Sequence, residues 1–506
     1  MSDYNFLMET RLSPEHFQVL SQISRAASEE GLNLYLVGGA VRDLTYGQQT
    51  LRDLDFAVEG NPGKILRHLT AERGRRAGSA PERPAPPEIE HIRFNRRRNS
   101  AELVFSNLVR AEIAMSRSEF YPKPGRRPEI SPAMIFEDLK RRDFSVNAMA
   151  VSLHPNSCGL LLDPTNGAAD IENRELRVLH SRSLNEDPSR IYRLLRLSLR
   201  LGFKLEEKTR NYLQSALENR LWLRLEPNQQ GRELRAILYE EDPGRVLRAL
   251  VGPGLLAGLD KKITPRKIPY EQFKKIRAAA RRVPDADPSL LNFHSLVAKL
   301  SGGGRARLAR KIIGDRKAIK TALGLERAAR KLARALSGSR AALPSQVYKI
   351  LSGQPRTLLL FLLAHFPQTK IQKRVKNFLR KTPLLRAAMP RAEFLAMGAK
   401  PGPKFEKILE RLFFDQLDGK IKTHPQLVKE FRKLAGIPEP KPPKPLKPAK
   451  SRKLAKPKGP PEKPKGKPFK VAKPAGPARP AKPSPKHAAK KKSGAKKPAS
   501  RKGKRR

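Results

Sequence analysis

The sequence contains a single cysteine, Cys158, among its 506 residues. One cysteine excludes a framework of disulfide bonds and any zinc site built from several cysteines, so we expect a protein of a reduced compartment, the cytoplasm. Long apolar runs are also lacking. None reaches the ~20 residues that a membrane-spanning helix needs, and we therefore expect no membrane partner.

Acidic residues are scarce as well, with 48 Asp and Glu against 105 Lys and Arg and a formal net charge of +57. Residues 441–506 carry 26 Lys and Arg, 15 prolines and one acid, Glu462, for a net charge of +25, which leaves +32 on residues 1–440. So basic a chain predicts a polyanionic partner, of which nucleic acid is the commonest. The Lys/Pro-rich tail, residues 438–506, has too little apolar surface to offset chain entropy and is predicted to be disordered.

The apolar pattern divides the rest of the chain into regions. Alternating strand-like and helix-like runs predict a domain of strands and helices over residues 1–155, here called the head. Helix-spaced Leu, Ile and Phe follow, which predicts an all-helical neck over residues 156–250 and a helical body and tail over residues 251–437. The expected fold class is therefore α+β, with a mixed sheet and helices in the head and helices alone after it.

The first motif is a glycine turn, LVGGAVRD, after a strand-like run. Gly38 and Gly39 allow the backbone to approach phosphate oxygens, and the helix start beyond them presents unpaired amides. Arg42 falls in the first helical turn, where a guanidinium can bind a phosphate with two hydrogen bonds. The alternative is an ordinary strand-to-helix turn with a surface arginine.

Two carboxylates follow shortly after this turn. Asp53 and Asp55 are two residues apart in a predicted strand, so both side chains point to one face. They would repel each other unless a cation lay between them, and Mg²⁺ bound to a nucleoside triphosphate would meet that need. Glu112 in a neighbouring strand is the candidate for a third active-site carboxylate. A solvated strand end and a surface glutamate are the alternatives.

A third pattern lies in the predicted helix over residues 186–203. Asp187, Arg190, Arg193 and Arg196 recur every three residues and would share one helical face. A carboxylate and a guanidinium one turn apart offer an acceptor and fixed donors, which can address the pairing edge of a base. A basic helix face with an internal ion pair is the alternative.

Four ordered motifs resemble the class II tRNA nucleotidyltransferase and bacterial poly(A) polymerase family, a branch of the polymerase-beta-like nucleotidyltransferases. They are GGAVRD followed by DLD, then LKRRDFSVNAMA, DPTNGAADIENRELRVL and EDPSRIYRLLRLSLRLGF. The resemblance covers roughly residues 30–240. It implies an enzyme that adds CCA, or part of it, to tRNA 3′ ends from CTP and ATP, with Mg²⁺ held by Asp53 and Asp55. The resemblance also implies that residues 1–155 are the catalytic domain and that residues 251–437 bind RNA.

The resemblance also implies roles for individual residues. Asp187 and Arg190 would act as a protein template for CTP and ATP, with Arg193 and Arg196 supporting the nucleotide. The triphosphate and ribose would lie near residues of the second motif. These further nucleotide-binding candidates are Arg142, Asp143 and Asn147.

One element departs from the family pattern, and several activities stay open. Asn228 and Gln229 stand where the family has Glu and Arg, which puts local helix packing in doubt. Addition of A alone or C alone, a poly(A) polymerase and a catalytically inactive RNA-binding protein are the alternatives. Arg117, Glu119 and Tyr121 resemble the tRNA-type enzymes, while the oligomeric state stays open.

Overall fold

The computed structural model describes residues 3–47, 51, 53–75, 87–256, 259–260, 262–283 and 286–438. The chain divides into two compact units, Met1–Glu439 and Pro440–Arg506. The disorder expected for the tail falls outside the described residues except at Pro438. The helices and strands described below belong to the first unit.

The head is built on a seven-stranded mixed sheet with the strand order β3-β4-β5-β2-β1-β8-β9. β2 and β5 run parallel, and every other neighbouring pair in this sheet is antiparallel. A separate antiparallel pair is formed by β6 and β7. The strands are β1 (Asn33–Val37), β2 (Leu54–Glu59), β3 (Ile89–Asn95), β4 (Ser100–Phe105), β5 (Arg110–Met115), β6 (Arg117–Phe120), β7 (Glu129–Pro132), β8 (Ala150–Ser152) and β9 (Leu161–Leu162).

Helices cover both faces of this sheet, because the strands alternate their side chains. In β2, Leu54 and Phe56 belong to the main core with residues of the second helix, whereas Ala57 packs with Ile135 and Leu139 on the other face. Asp55 shares the face of Ala57. The head helices are α1 (Tyr4–Arg11), α2 (Pro14–Glu29), α3 (Gly39–Tyr46), α4 (Pro62–Arg75) and α5 (Ile135–Lys140).

The neck is mainly helical, with short strands that the sequence did not predict. Its helices are α6 (Gly167–Glu172), α7 (Ser183–Glu186), α8 (Ser189–Leu201), α9 (Glu207–Glu218), α10 (Pro227–Tyr239) and α11 (Pro243–Val251). β9 extends the head sheet into this region, and β10 (Glu175–Leu176) pairs in parallel with β11 (Lys204–Leu205). The expectation of an all-helical neck was therefore wrong at these three two-residue strands.

The predicted helix over residues 186–203 is broken at its start. Asp187 lies between α7 and α8 with φ −126° and ψ 88°, outside helical geometry. The following Pro188 disfavours a helical conformation at the residue before it, which explains the break. Asp187 therefore precedes the helix that carries Arg190, Arg193 and Arg196.

The body consists of helices packed in series. They are α12 (Tyr270–Ala280), α13 (Ser289–Val297), α14 (Gly302–Ile312), α15 (Arg316–Ser337), α16 (Pro344–Leu351), α17 (Arg356–His365), α18 (Thr369–Ala387), α19 (Arg391–Ala396), α20 (Pro403–Leu417) and α21 (His424–Ala435). Of the helices in the described part of the chain, none has both the length and the apolar character needed to cross a bilayer. The mixed head sheet and the helical body agree with the predicted α+β class.

Buried apolar residues form one core that runs from the head through the neck into the body. This main core has members from Tyr4 to Ala322, and two further cores lie within the body, from Ile276 to Val375 and from Phe394 to Phe431. The core is continuous across residues 155 and 250. Those two positions therefore mark changes of secondary structure and not gaps in packing, which holds the head and neck in a fixed relation.

Candidate active site

The glycine turn brings the backbone close to the side chains of Asp55 and Arg142. Gly38 has φ +68°, and a Cβ there would lie 3.1 Å from Nη1 of Arg142 and 3.7 Å from Oδ2 of Asp55. Only glycine adopts this conformation readily. α3 begins at Gly39, so its first amides lie beside the carboxylate at the end where the helix dipole favours negative charge.

Three carboxylates approach one another on one face of the sheet. Asp53 directly precedes β2, Asp55 lies within it, and Glu112 of β5 is the register partner of Asp55 across the parallel pair. Burial and the carboxylates of Glu112 and Asp53 together raise the pKa of Asp55 to about 7, against the opposing effect of Arg142 and Arg42. A cation between these groups would relieve that repulsion.

The chemistry of these groups fits a divalent cation. Carboxylate oxygens are the ligands that Mg²⁺ prefers, and Mg²⁺ is commonly bound through one or two carboxylates together with substrate phosphates. Within the described ranges no three His, Cys, Asp or Glu side chains form a group that could hold a metal ion. Asp53 and Asp55 thus remain the candidate ligands, and a direct metal-binding role for Glu112 gains no support.

Arg42 is fixed by its neighbours and is not a surface arginine. Its side chain is 4% exposed; Nη1 donates to Oδ1 of Asn147 at 2.6 Å, and Nε donates to Oδ1 of Asp43 at 2.8 Å. Asp43 also pairs with Arg200 of α8 at 3.3 Å. Asp43 and Arg200 were missed by the sequence analysis, although Asp43 stands in the glycine motif itself.

Asp143 joins the head to the neck. Its carboxylate accepts hydrogen bonds from the Phe144 amide at 2.9 Å, from Asn147 at 3.0 Å and from Nη1 of Arg193 at 3.0 Å. Burial alone would raise the pKa of Asp143, but Arg193 and these hydrogen bonds hold it below its usual value. Asp143 is therefore a permanent anion at the point where α8 meets the head.

The guanidinium of Arg142 faces the turn from the other side. Nε and Nη2 donate to Oδ2 of Asp138 at 3.1 and 2.8 Å, and Nη1 points at Gly38. Asp138 itself is 1% exposed. Arg142 is thus held rigidly beside Asp55.

The proposed base-reading pair is Asp187 and Arg190. Asp187 accepts from the Ser189 amide at 3.0 Å and from Nη2 of Arg193 at 2.6 Å. Arg190 is 3% exposed and donates to the hydroxyl of Ser183 at 2.6 Å and to the carbonyl of Arg141 at 2.7 Å, while its buried Nε has no hydrogen-bond partner. The close ion pair of Asp187 is with Arg193, because its separation from Arg190 is 3.9 Å.

One cleft of about 270 Å³ collects most of the predicted residues. The predicted residues that line it are Gly39, Arg42, Asp53, Asp55, Asp143, Asn147, Arg193 and Arg196. Those that do not line it are Gly38, Glu112, Arg142, Asp187 and Arg190. Its far wall includes Ala236 and Tyr239 of α10, which sequence reasoning missed because nothing in the sequence of α10 links it to the glycine turn.

The departure from the family pattern at the start of α10 leaves the helix intact. Gln229 Oε1 accepts a hydrogen bond from the amide of Glu226 at 3.1 Å, which satisfies a group at the helix start. Asn228 is exposed in the first turn. The doubt about local packing is not supported.

Comparison with known proteins agrees with this geometry. Residues 34–177 match the model of the family described as Poly A polymerase head domain. The head of this chain is therefore similar to a poly A polymerase head domain. The resemblance drawn from the four motifs is thereby confirmed, since the match includes the glycine turn, both aspartates and the segment around Asp143.

The relatives that this chain resembles carry more than one activity in their names. An A-adding tRNA nucleotidyltransferase of Halalkalibacterium halodurans is 35% identical over 240 residues, 47% of this chain and 52% of that protein. A CC-adding tRNA nucleotidyltransferase of Deinococcus radiodurans is 37% identical over 257 residues, 49% of this chain and 62% of that protein. The chain thus spans about half the length of the curated relatives it matches.

A solved structure of a CCA-adding enzyme in its apo form is also similar. It is 26% identical, with 85% of this chain and 98% of that chain covered and a TM-score of 0.48.

Proposed function

We propose that this protein is a template-independent RNA nucleotidyltransferase that acts in the cytoplasm. It adds CCA, or part of it, to tRNA 3′ ends from CTP and ATP and releases pyrophosphate. The observation that carries the proposal is the single cleft in which Asp53 and Asp55 meet the N-terminus of α3 and the guanidinium groups of α8. The names of the A-adding and CC-adding relatives support it.

The walls of the cleft suit a triphosphate. On one side, the first amides of α3 and its dipole favour an anion. On the other, Arg193 and Arg196 face the cleft from α8, with Arg196 oriented by Glu240 at 2.9 Å. Arg42 is held in place by Asp43 and Asn147, so it can bind a phosphate without first losing side-chain entropy.

The reaction is a transfer of a nucleotidyl group. The 3′ oxygen of the RNA forms a bond to the α-phosphorus, the bond from that phosphorus to the β-phosphate oxygen breaks, and the hydroxyl proton is released as pyrophosphate leaves. Asp53 and Asp55 would hold Mg²⁺, which when bound supplies positive charge to the hydroxyl and to the leaving pyrophosphate. The chain itself contributes position and a fixed electrostatic environment.

Asp187 gives a physical reason for the choice of CTP and ATP. Burial alone would raise the pKa of Asp187, but Arg193, Ser189 and Arg190 hold it below its usual value, so the group is an acceptor at neutral pH. Cytosine and adenine present an amino donor at the position where uracil and guanine present a carbonyl oxygen. An ionised carboxylate therefore favours C and A, with Arg190 next to it.

The test is direct incorporation. A tRNA transcript that lacks CCA and one that ends in CC are each incubated with CTP, with ATP and with both, and the products are separated at single-nucleotide resolution. We expect extension by defined steps, of CC, of A or of CCA. Long adenylate tails on unrelated RNA would instead identify a poly(A) polymerase. RNA binding without any incorporation would overturn the proposal in favour of an inactive RNA-binding protein.

A further inference from the structure

A second cleft, of about 370 Å³, lies where the neck meets the body. The N-terminal turn of α10 forms one wall, through Pro227 and Asn228, and α14 forms the other. The charged residues that line it are all basic: Arg307, Arg310 and Lys311. Spacings of three and four residues place these three side chains on one face of α14.

Two of these cations have no acid to neutralise them. Arg307 pairs with Asp260 at 2.7 Å, whereas neither Arg310 nor Lys311 has an ion pair or side-chain hydrogen bond with any residue that the structure describes. Lys311 is half-buried, and burial together with Arg307 lowers its pKa. A partly desolvated ammonium group without a counter-ion is unfavourable, so an anion in the cleft would stabilise it.

The cleft is formed in advance of any ligand. A Cβ at Gly231 would lie 1.8 Å from the carbonyl oxygen of Lys311, so only glycine permits α10 and α14 to approach this closely. Arg235 of α10 also donates to the carbonyl of Ile313, just beyond α14, at 3.1 Å. The two walls are therefore fixed against each other, and little order is lost when a ligand binds.

Basic residues from the head add to the same positive region. Arg126 and Arg127, in the loop between β6 and β7, lie 3.9 and 3.2 Å from the carboxylate of Glu226, the residue before α10. The acids at the edge of the cleft are thus Glu226 and Asp260, each already bound to arginine. The field that a ligand meets is positive.

An exposed stripe of α10 joins the two clefts. Asn228, Arg232, Arg235 and Tyr239 are all exposed and are spaced by four, three and four residues, which places them on one side of the helix. Asn228 lines the second cleft and Tyr239 lines the catalytic cleft. Eleven residues of helix span about 17 Å.

We propose that this second cleft binds a backbone phosphate of the RNA strand whose 3′ end lies in the catalytic cleft. Five stacked nucleotides at about 3.4 Å each span the same 17 Å, so the phosphate belongs to a position about five nucleotides before the end. Arg232 and Arg235 face the strand between the two clefts. The inference rests on the proposed function for the direction of the strand, and it adds a positioning site for the substrate.

The test is RNA binding as a function of salt, measured without nucleotides. Lys311→Met keeps the apolar part of the side chain and removes the charge, and a double variant adds Arg310→Ala. The matched control is Lys64→Met on α4, which is exposed in the helical layer opposite the face of Asp55. Thermal unfolding of each variant verifies that it folds.

A phosphate contact predicts a defined change. The slope of log Kd against log salt should become shallower by about 0.7 to 1 for Lys311→Met and by about twice that for the double variant, with Lys64→Met unchanged. Folded variants with the wild-type slope would overturn the inference. CTP binding is measured separately without RNA, and weaker CTP binding with an unchanged RNA slope would instead assign the phosphate to free nucleotide. Failure of the wild type to extend RNA would refute the proposed function. The salt slopes would still show whether the second cleft contacts an RNA phosphate.

Discussion

Asp55 lies where an isolated carboxylate is unfavourable. Partial burial and the neighbouring charges of Glu112 and Asp53 raise its pKa to about 7, while Arg142 and Arg42 oppose the rise. Carboxylates with raised pKa values cluster at functional sites, because a bound ligand, in this proposal a cation, offsets the unfavourable interactions. The unfavourable environment of the Asp55 carboxylate is therefore a reason to propose that nucleotide transfer takes place beside it.

Removing either carboxylate of the proposed metal site should nearly abolish nucleotide addition. We expect Asp53→Ala or Asp55→Ala to lower the rate by roughly 1,000-fold, because a bound metal contributes several kcal/mol to such a step. RNA affinity should change little, since these side chains hold a cation and not RNA. Incorporation and RNA binding are measured side by side.

The control for this pair is Glu102→Ala. Glu102 of β4 is the register partner of Glu112 but is exposed and paired with Arg93 at 3.4 Å. It should behave as wild type. Normal turnover in either aspartate variant would refute the assignment.

Asp187 should govern which nucleotides are accepted. Replacing it with alanine removes the acceptor for an amino group and leaves Nη2 of Arg193 without its closest carboxylate. A buried partner left unpaired costs about 1–3 kcal/mol, so we expect the preference for CTP and ATP over UTP and GTP to fall about 5- to 150-fold. The measurement is kcat/KM for all four nucleotides. An equal loss for all four would show that Asp187 does not read the base.

At the scale of elements, the turn between β1 and α3 places two glycines in different situations. Gly38 has positive φ and lies against Arg142, whereas Gly39 is helical and its nearest neighbour to a Cβ, Nη2 of Arg42, is at an ordinary 3.5 Å. Gly38→Ala should destabilise the fold by about 1–3 kcal/mol, and Gly39→Ala should have little effect on stability. Urea denaturation compares the two variants. Equal stability would mean that the turn relaxes without strain.

Helices α13, α15 and α17 enclose a histidine that should stay neutral. The His365 ring stacks on Phe361 with centroids 4.0 Å apart, and His294 lies 5.7 Å away. Burial and the neighbouring His294 lower the pKa of His365 to about 4, with Lys275 adding to the effect and Glu326 opposing it. An unfolded histidine has a pKa of about 6.5.

The lowered pKa of His365 predicts that the free energy of unfolding decreases in acid. Between pH 6.5 and 4 the unfolded chain binds a proton that folded His365 does not, so the free energy of unfolding falls as pH falls, by up to about 3 kcal/mol. His365→Phe should reduce that fall, and His91→Phe at an exposed position should not. Urea midpoints at pH 7.5 and 5 give the comparison. An identical loss in all three proteins would contradict this origin.

At the scale of the whole molecule, positive charge is divided between the folded unit and the tail. Residues 1–440 carry +32 and residues 441–506 carry +25. A polycation binds RNA phosphates with little base preference and with steep salt dependence. The tail should therefore raise the local concentration of RNA without altering the choice of nucleotide.

Deletion of residues 441–506 tests that division. RNA binding at low salt should weaken, and the slope of log Kd against log salt should become shallower. The preference among the four nucleotides should persist, because a polycation binds phosphates with little base preference. If full-length and truncated protein gave the same salt slope, the tail would have no contact with RNA phosphate.

The sequence by itself determined the local parts of the catalytic cleft. β1, β2 and the turn at Gly38 follow from apolar runs and glycine within a few residues, and the shared direction of Asp53 and Asp55 follows from the two-residue repeat of a strand. The four motifs identified the head. Each of these signals depends on neighbours in sequence, so no knowledge of packing was needed.

Only the tertiary structure decided which distant side chains meet. Asp43 pairs with Arg200 across 157 positions, and Tyr239 enters the cleft from α10, in which the sequence analysis predicted no site residue. In the structure Arg190 is also buried, Asp187 lies outside the helix and Lys311 lies against α10. The reason is physical: such contacts depend on how helices pack in three dimensions, and the apolar pattern specifies which face is buried but not which partner it meets.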